Sequence, residues 1–314
     1  PVADIPTLTG SGAGDEDTAV PLSIAAAMAA GTTETLDFVT IRGVPDGAVL
    51  AAGTDALAAN DDGSFTLTPA QLDGLTLTPP ADFHGTIALE VTATSTDGST
   101  STPVTVPVSV SAVNDAPMTA GSTAAAVEDT VLVGQLSASD VDGDELTFAV
   151  AEGGMPAHGT LTVTGDGTYT YTPDADYHGA DSFTYEVADG QGGLATATVS
   201  LTVDPMNDVP VAVSGTATVA EDGTLVGHLI ASDVDGDDLT FALAEGGMPA
   251  HGTVTVNGDG SYTYTPAADY YGADSFTYEV ADGQGGTATA TVSLTVTPVA
   301  DIPTLTGSGA GDED

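Results

Sequence analysis

The sequence predicts an all-β chain of three tandem β-sandwich domains arranged end to end as an elongated rod, and three observations carry that prediction. Residues 114–206 and 207–299 match position for position without a gap, at about three-quarters identity, so that Asp140 recurs as Asp233 and Glu128 as Glu221 at an offset of 93 residues. A repeat of this length is a whole small domain rather than one turn of a solenoid. Within each copy, apolar residues alternate with Thr and Ser in short runs separated by Gly- and Asp-rich turns, the period-two pattern of half-buried strands.

Residues 1–113 read as a divergent relative of the other two domains. Glu16-Asp17-Thr18 matches Glu128-Asp129-Thr130, Ala81-Asp82-Phe83-His84-Gly85 matches Ala175-Asp176-Tyr177-His178-Gly179, and Thr96-Asp97-Gly98 stands where the copies have Ala-Asp-Gly. Part of the extra length of this domain is an insertion near Ala70–Pro79. The Ala-rich run Ile24–Ala30 is expected to form a turn of helix.

In residues 114–206, Leu161, Val163, Tyr169 and Tyr171 alternate with Thr on either side of Gly165-Asp166-Gly167, which predicts a hairpin. Phe183, Tyr185 and Val187 alternate likewise, as do Val199, Leu201 and Val203, and these positions are the expected core. About seven short strands per copy, with turn signals between them, indicate an immunoglobulin-like sandwich. Residues 207–299 repeat every one of these features. Pro298 to Asp314 then repeats Pro1 to Asp17 letter for letter, an offset of 297, so residues 300–314 read as the start of another first domain. The chain is expected to be one three-domain block of a longer array.

Charge restricts the partners. The chain has one basic residue, Arg42, against 46 acidic ones, for a formal net charge of -45. Nothing in it could neutralise phosphates, which excludes nucleic acid, and an anionic membrane surface would repel it. No run approaches the roughly 18 apolar residues of a membrane-spanning helix. Cysteine is absent, which removes disulfides and thiolate sites. Domains of fewer than about 100 residues without disulfides need another stabiliser, and bound ions are one.

The acidic residues gather in turns. Asp140-Val141-Asp142-Gly143-Asp144, repeated at Asp233–Asp237, puts three carboxylates at alternate positions around a glycine, and calcium takes six to eight such oxygens. An EF-hand does not fit, because Glu145 falls at the glycine position and Ala151 at the twelfth. A nonapeptide β-roll does not fit either, because Gly190-Gln191-Gly192-Gly193 is not repeated in tandem. Solvated hairpin turns on a salt-adapted surface are the plainer alternative. His158 and His251 read as turn residues, with no second His or Cys at a zinc-ligand spacing. His178 is Tyr271 in the other copy, so no shared function is expected of it.

Read in order, each copy resembles a cadherin repeat. Ala138–Asp144 resembles the Asp-x-Asp segment of that family, and Tyr185-Glu186-Val187-Ala188-Asp189-Gly190 resembles its Val-x-Ala-x-Asp segment. Asn207-Asp208-Val209-Pro210 resembles its linker, and Glu128 and Glu221 occupy the place of its early glutamate. The kin implied are the cadherin-like tandem repeats of large bacterial surface adhesins, including repeats-in-toxin adhesins. That resemblance implies Ca2+ at the domain junctions. It gives the first junction Glu16, Asp82, Asn114, Asp115, Asp140, Asp142 and Asp189, and the second Glu128, Asp176, Asn207, Asp208, Asp233, Asp235 and Asp282. A third would be completed by Glu221, Asp269 and Asp301. Asp181 and Asp274 compete with Asp176 and Asp269 for the acidic-loop role, since the Asp-Arg-Glu signature of the family is missing.

The first domain serves as an internal control. It has Ala30-Gly31-Thr32-Thr33-Glu34 where the copies have the Asp-x-Asp turn, and the linkers preceding its type read Ala3-Asp4 and Ala300-Asp301, with Ala for Asn. Ligands of one ion would be lost together in this way, and the junction is expected to hold fewer ions and to bend more.

The leading expectation is therefore a calcium-rigidified extender of a bacterial surface adhesin, extracellular, monomeric, and exported as the resemblance implies by a type I pathway. Its partners would be calcium ions and neighbouring repeats. The alternative is a calcium-dependent carbohydrate-binding module, with a polysaccharide partner and Tyr177, Tyr270 and Tyr271 as the candidate aromatics. An enzyme is not expected, because no carboxylate pair lies in a sequence suggesting a cleft.

Overall fold

The computed structural model describes residues 5–300, which are β-structure apart from turns, loops and one short 3-10 turn at Pro69–Leu72. Three separate hydrophobic cores follow one another along the chain, within residues 8–110, 124–203 and 212–296.

The first core is enclosed by β1 (Thr7–Asp15), β2 (Val20–Ala27), β3 (Leu36–Arg42), β4 (Val49–Ala52), β5 (Asp55–Ala56), β6 (Phe65–Leu67), β7 (Leu75–Thr78), β8 (Gly85–Ser95) and β9 (Val104–Ser111). Their hydrogen-bonded order is β5-β4-β7-β2-β1-β9-β8-β3-β6. This run folds over on itself because β2 changes partner, with Leu22–Ala27 paired to β1 and Val20 and Pro21 paired to β7. Pro21, which has no N–H to give a ladder, stands at that change.

The helical turn expected at Ile24–Ala30 does not form. Ile24–Ala27 ends β2, paired with Thr7–Gly10, and Ala30 begins a turn. Helix propensity favours Ala by only tenths of a kcal/mol per residue over most alternatives. Cross-strand pairing, with Leu22 and Ile24 buried on alternate positions, outweighs it.

The second domain contains β10 (Met118–Thr119), β11 (Ser122–Val127), β12 (Leu132–Gln135), β13 (Ala138–Ser139), β14 (Thr147–Val150), β15 (Gly159–Val163), β16 (Thr168–Pro173), β17 (Gly179–Ala188) and β18 (Leu194–Asp204). A four-stranded sheet, β11-β18-β17-β14, faces a three-stranded one, β12-β16-β15, and β10 and β13 form a short ribbon. Phe183, Tyr185, Val187, Val199, Leu201 and Val203 are all buried, as the alternation predicts. Between them, Thr184 and Thr198 face outward with their hydroxyls 3.0 Å apart. The rings of Tyr169 and Phe183 meet with centroids 5.1 Å apart, and each such buried side chain contributes about 2–3 kcal/mol. The third domain has the same sheets in the same order, from Gly215–Ala220, Thr287–Thr297, Gly272–Ala281 and Thr240–Leu243 against Leu225–His228, Ser261–Pro266 and Gly252–Val256.

Two features of this architecture position the acidic residues. In every domain the first long strand lies parallel to the last, β1 on β9 and β11 on β18, so chain entry and exit fall at opposite ends. The last strand then runs directly into the linker, from Ser111 toward Asn114-Asp115 and from Asp204 toward Asn207-Asp208.

Candidate metal centres at the domain junctions

At the lower end of the first domain, β1 stops at Asp15 and delivers Glu16 into a site where the residue is only 2% exposed. Its Oε1 accepts the Val113 N–H of the linker at 2.7 Å, while Oε2 has no hydrogen-bond partner. Asp17 follows in the left-handed backbone region at φ 56, where Asp is tolerated better than most residues. That turn aims its carboxylate at the Asp82 N–H, 3.1 Å away, and Asp82 is itself left-handed at φ 57.

The upper end of the second domain supplies the facing groups. Gly143, at φ 80, lets the Asp140–Asp144 segment turn back on itself. Asp140 Oδ1 accepts the N–H groups of Asp142 and Asp144 at 3.0 and 3.3 Å, and its Oδ2 is buried without a partner. Asp142 Oδ2 accepts the Asp115 N–H at 2.8 Å, fixing the linker to this loop. Asp189, 4% exposed, accepts the N–H groups of Gln191, Gly192 and Gly193 and the side chain of Asn114 at 2.8 Å. A Cβ at Gly193 would collide with the Asp189 carboxylate, so this turn requires glycine.

Together these groups form three acidic clusters, Glu16 with Asp115 and Asp142, Asp17 with Asp82 and Asp115, and Asp140 with Asp142 and Asp144, each within 4.8 Å. The first two draw on the linker and on the domain before it, and the first also on the domain after it. The second junction repeats the first two arrangements as Glu128, Asp208 and Asp235, and as Asp129, Asp176 and Asp208. Its Asp233 Oδ2 and Asp208 Oδ2 are again buried and unpartnered.

Electrostatics follow from this crowding. Burial pushes the Asp115 carboxyl above the usual carboxylate range, and the charges of Asp17, Asp82, Asp142 and Glu16 push it further. Asp208 is raised in the same way by burial and then by Asp129, Asp176, Asp235 and Glu128. Asp144 and Asp237 are raised by burial and by the other acids of their turns. Asp189 and Asp282 move the other way, held low chiefly by the hydrogen bonds from Asn114 and Asn207.

The structure thus brings Glu16, Asp82, Asn114, Asp115, Asp140, Asp142 and Asp189 to one end of the second domain, and Glu128, Asp176, Asn207, Asp208, Asp233, Asp235 and Asp282 to the corresponding end of the third. It adds Asp17, Asp129, Asp144 and Asp237, which the sequence-based ligand set leaves out although the Glu-Asp and Asp-x-Asp-Gly-Asp motifs contain them. Asp176 and Asp181 are also separated. Asp176 joins the junction cluster, whereas Asp181 accepts the N–H groups of Ala157 and His158 and the Tyr171 hydroxyl. His158 stacks on Tyr177 at a centroid distance of 4.0 Å. His178, of which no shared function was expected, stands with Nδ1 3.5 Å from Glu128 Oε2, as His84 does at 3.7 Å from Glu16. In the third domain, Glu221 Oε1 accepts the Val299 N–H at 2.7 Å and Asp269 is left-handed at φ 60. Asp301 lies outside the described residues.

A family model for a bacterial cadherin-like domain matches residues 114–205 and 207–298. No curated protein matches the chain. Among solved structures, the EC22-24 segment of mouse cadherin-23 is similar over 95% of this chain and 100% of its own, at 15% identity and a TM-score of 0.55. Extracellular cadherin domains 1-5 of protocadherin gamma B2 are similar at 16% identity and a TM-score of 0.52, over 92% of this chain and 58% of theirs. These likenesses concern the fold. The two matched repeats, with sandwich architecture and acidic junctions in the same places, make this chain a member of the bacterial cadherin-like domain family.

Proposed function

We propose that the chain is an extender segment of a long bacterial surface adhesin, in which Ca2+ at the junctions fixes the angle between neighbouring domains. Cadherin-like domains are extracellular, typically bind calcium, and serve as adhesion-type or spacer modules. The observation that carries the reading here is the set of buried carboxylate oxygens without partners, Glu16 Oε2, Asp115 Oδ2, Asp140 Oδ2, Asp208 Oδ2 and Asp233 Oδ2, all of them at the two junctions. A buried polar oxygen left unpaired is costly. Five of them among mutually repelling carboxylates suit a hard divalent cation, and the donor set is all oxygen.

When bound, such an ion supplies positive charge that neutralises the carboxylates and links groups of both domains. The residues prepare for this. Gln191, Gly192 and Gly193 N–H groups hold Asp189, Asn114 ties Asp189 to the linker, and the left-handed turns at Asp17 and Asp82 aim two more carboxylates at Asp115. Clusters built from two domains and their linker make the junction angle depend on the ion. The reading assigns no catalytic role to the chain.

Small-angle scattering and thermal melting with calcium and then with chelator test it. Calcium is expected to raise the melting midpoint and lengthen the maximum dimension, and Asp142→Ala to weaken only the first junction. Identical profiles in calcium and chelator would remove the proposal. The carbohydrate-binding alternative has one observation in its favour, the exposure of Tyr271 at 65%. Binding on a glycan array that Tyr271→Ala abolishes would favour it over a spacer.

A further inference from the structure

The joint that would follow the third domain, where residues 298–314 repeat residues 1–17, differs from the other two on three sides: the domain below it, a first-type domain above it and the linker. In the first and second domains, Asp17 and Asp129 adopt φ 56 and accept the N–H groups of Asp82 and Asp176 at 3.1 and 3.3 Å. In the third domain Gly223 replaces Thr130, keeping the N–H bond to Ala220 O at 2.9 Å that Thr130 makes to Val127 O at 3.3 Å, but losing the bond of the Thr130 hydroxyl to Val127 O. Asp222, the counterpart of Asp129, is not among the left-handed residues, although Asp269 keeps φ 60. Tyr271 also replaces the histidine that faces Glu16 in the first domain and Glu128 in the second.

The upper face of the first-domain type is closed by its own hydrogen bonds. Asp97, the counterpart of Asp189, is exposed and accepts the Ser95 hydroxyl at 2.6 Å, the Ser99 N–H at 2.9 Å and the Ser99 hydroxyl at 3.1 Å. The Ser95 and Ser99 bonds hold its carboxyl below the usual range. Glu34, the one acid in the turn that replaces Asp-Val-Asp-Gly-Asp, accepts the Thr96 hydroxyl at 2.9 Å. The linker has lost its anchor as well. Asn114 and Asn207 tie Asp189 and Asp282 to the junction at 2.8 and 2.9 Å, and Ala300 has no group to replace them.

We infer that this joint is a hinge that calcium does not lock, so that the three domains before it turn together about a soft point. The inference rests on the calcium reading of the other two junctions. An ion stiffens a joint only by engaging carboxylates from both sides. Here the upper side has no Asp-Val-Asp-Gly-Asp turn and only an exposed Asp97 where the other joints have the buried Asp189 and Asp282, and Asp222 on the lower side is not left-handed as Asp17 and Asp129 are.

The test uses this chain extended after Asp314 by its own residues 18–113, which completes the second first-domain copy. Because no native cysteine is present, nitroxide pairs can be placed at exposed Thr86, Thr160 and Thr253, and at the added copy of Thr86, and read by pulsed electron spin resonance. Calcium is expected to narrow the Thr86–Thr160 and Thr160–Thr253 distance distributions, and to leave Thr253 to the added Thr86 as broad as in chelator. Narrowing at all three joints overturns the hinge while sparing the calcium reading. Narrowing at none overturns both.

Discussion

Asp181 shows how one carboxylate can be structural while its neighbour five residues away, Asp176, joins an acidic cluster, and Asp274 repeats the structural role in the third domain. Asp274 is 9% exposed and accepts the Tyr264 hydroxyl at 2.8 Å and the N–H groups of Ala250 and His251 at 2.9 and 3.0 Å. Burial works against its charge, but the bonds from Tyr264, Ser275, His251 and Ala250 prevail and hold its carboxyl below the usual range. A carboxylate whose folded pKa is depressed stabilises the fold above its unfolded pKa, about 4, and that contribution is lost as pH falls through the folded value. Asp274→Ala should therefore destabilise the third domain by about 1–3 kcal/mol at neutral pH, and the deficit should shrink below about pH 4. Denaturant melts at both pH values check this, and an equal deficit at both would refute the assignment. The Asp-x-Asp turn and linker Asn were legible in the sequence because their meaning lies in spacing. The roles of Asp17 and Asp129 were not, because they depend on a left-handed backbone that spacing does not reveal. Asp176 and Asp181 could not be separated for a similar reason: one lies in a left-handed turn and the other on β17.

On the scale of single elements, period-two alternation was sufficient to locate β15, β16, β17 and β18 and their buried faces. It failed for Ile24–Ala30, where alanine is compatible with helix and strand alike and only pairing with β1 decides. The change of partner within β2 was also invisible, since Val20 and Leu22 alternate as in any strand. A glycine in β12 gives the element its test. Gly134 pairs with Tyr169 across the ladder, and a Cβ there would overlap the tyrosine ring, as it would at Gly227 over Tyr262. Gly134→Val should displace Tyr169 from its contact with Phe183 and cost about 1–3 kcal/mol. Scanning calorimetry in chelator should show one transition lowered by roughly 4–8 °C per kcal/mol for a domain of this size. An unchanged midpoint would mean that the ring has room to move.

Over the whole molecule, a charge of -45 spread over three small domains makes the repulsion between neighbours sensitive to monovalent and divalent cations. Monovalent salt should screen the repulsion between domains without linking them, so the two kinds of ion act differently. The repeat arrangement was legible here because the two copies differ at few positions and the tail duplicates the opening. The parallel pairing of first and last strands was not, since alternation says nothing of strand direction. That pairing has a consequence under load. Tension pulls the two terminal strands of a domain past each other in shear, so all of their backbone bonds resist at once instead of parting one after another. Six residue pairs share this load in the second domain, Ser122–Val127 on Val199–Asp204, and six in the third, Gly215–Ala220 on Val292–Thr297. The first domain has four, Gly12–Asp15 on Val108–Ser111. Stretched by an atomic-force cantilever, the chain should release its longest contour increment first, and the shorter 93-residue increments only at higher force. The domain with the fewest terminal pairs would then act as a mechanical fuse, lengthening the tether before its neighbours rupture.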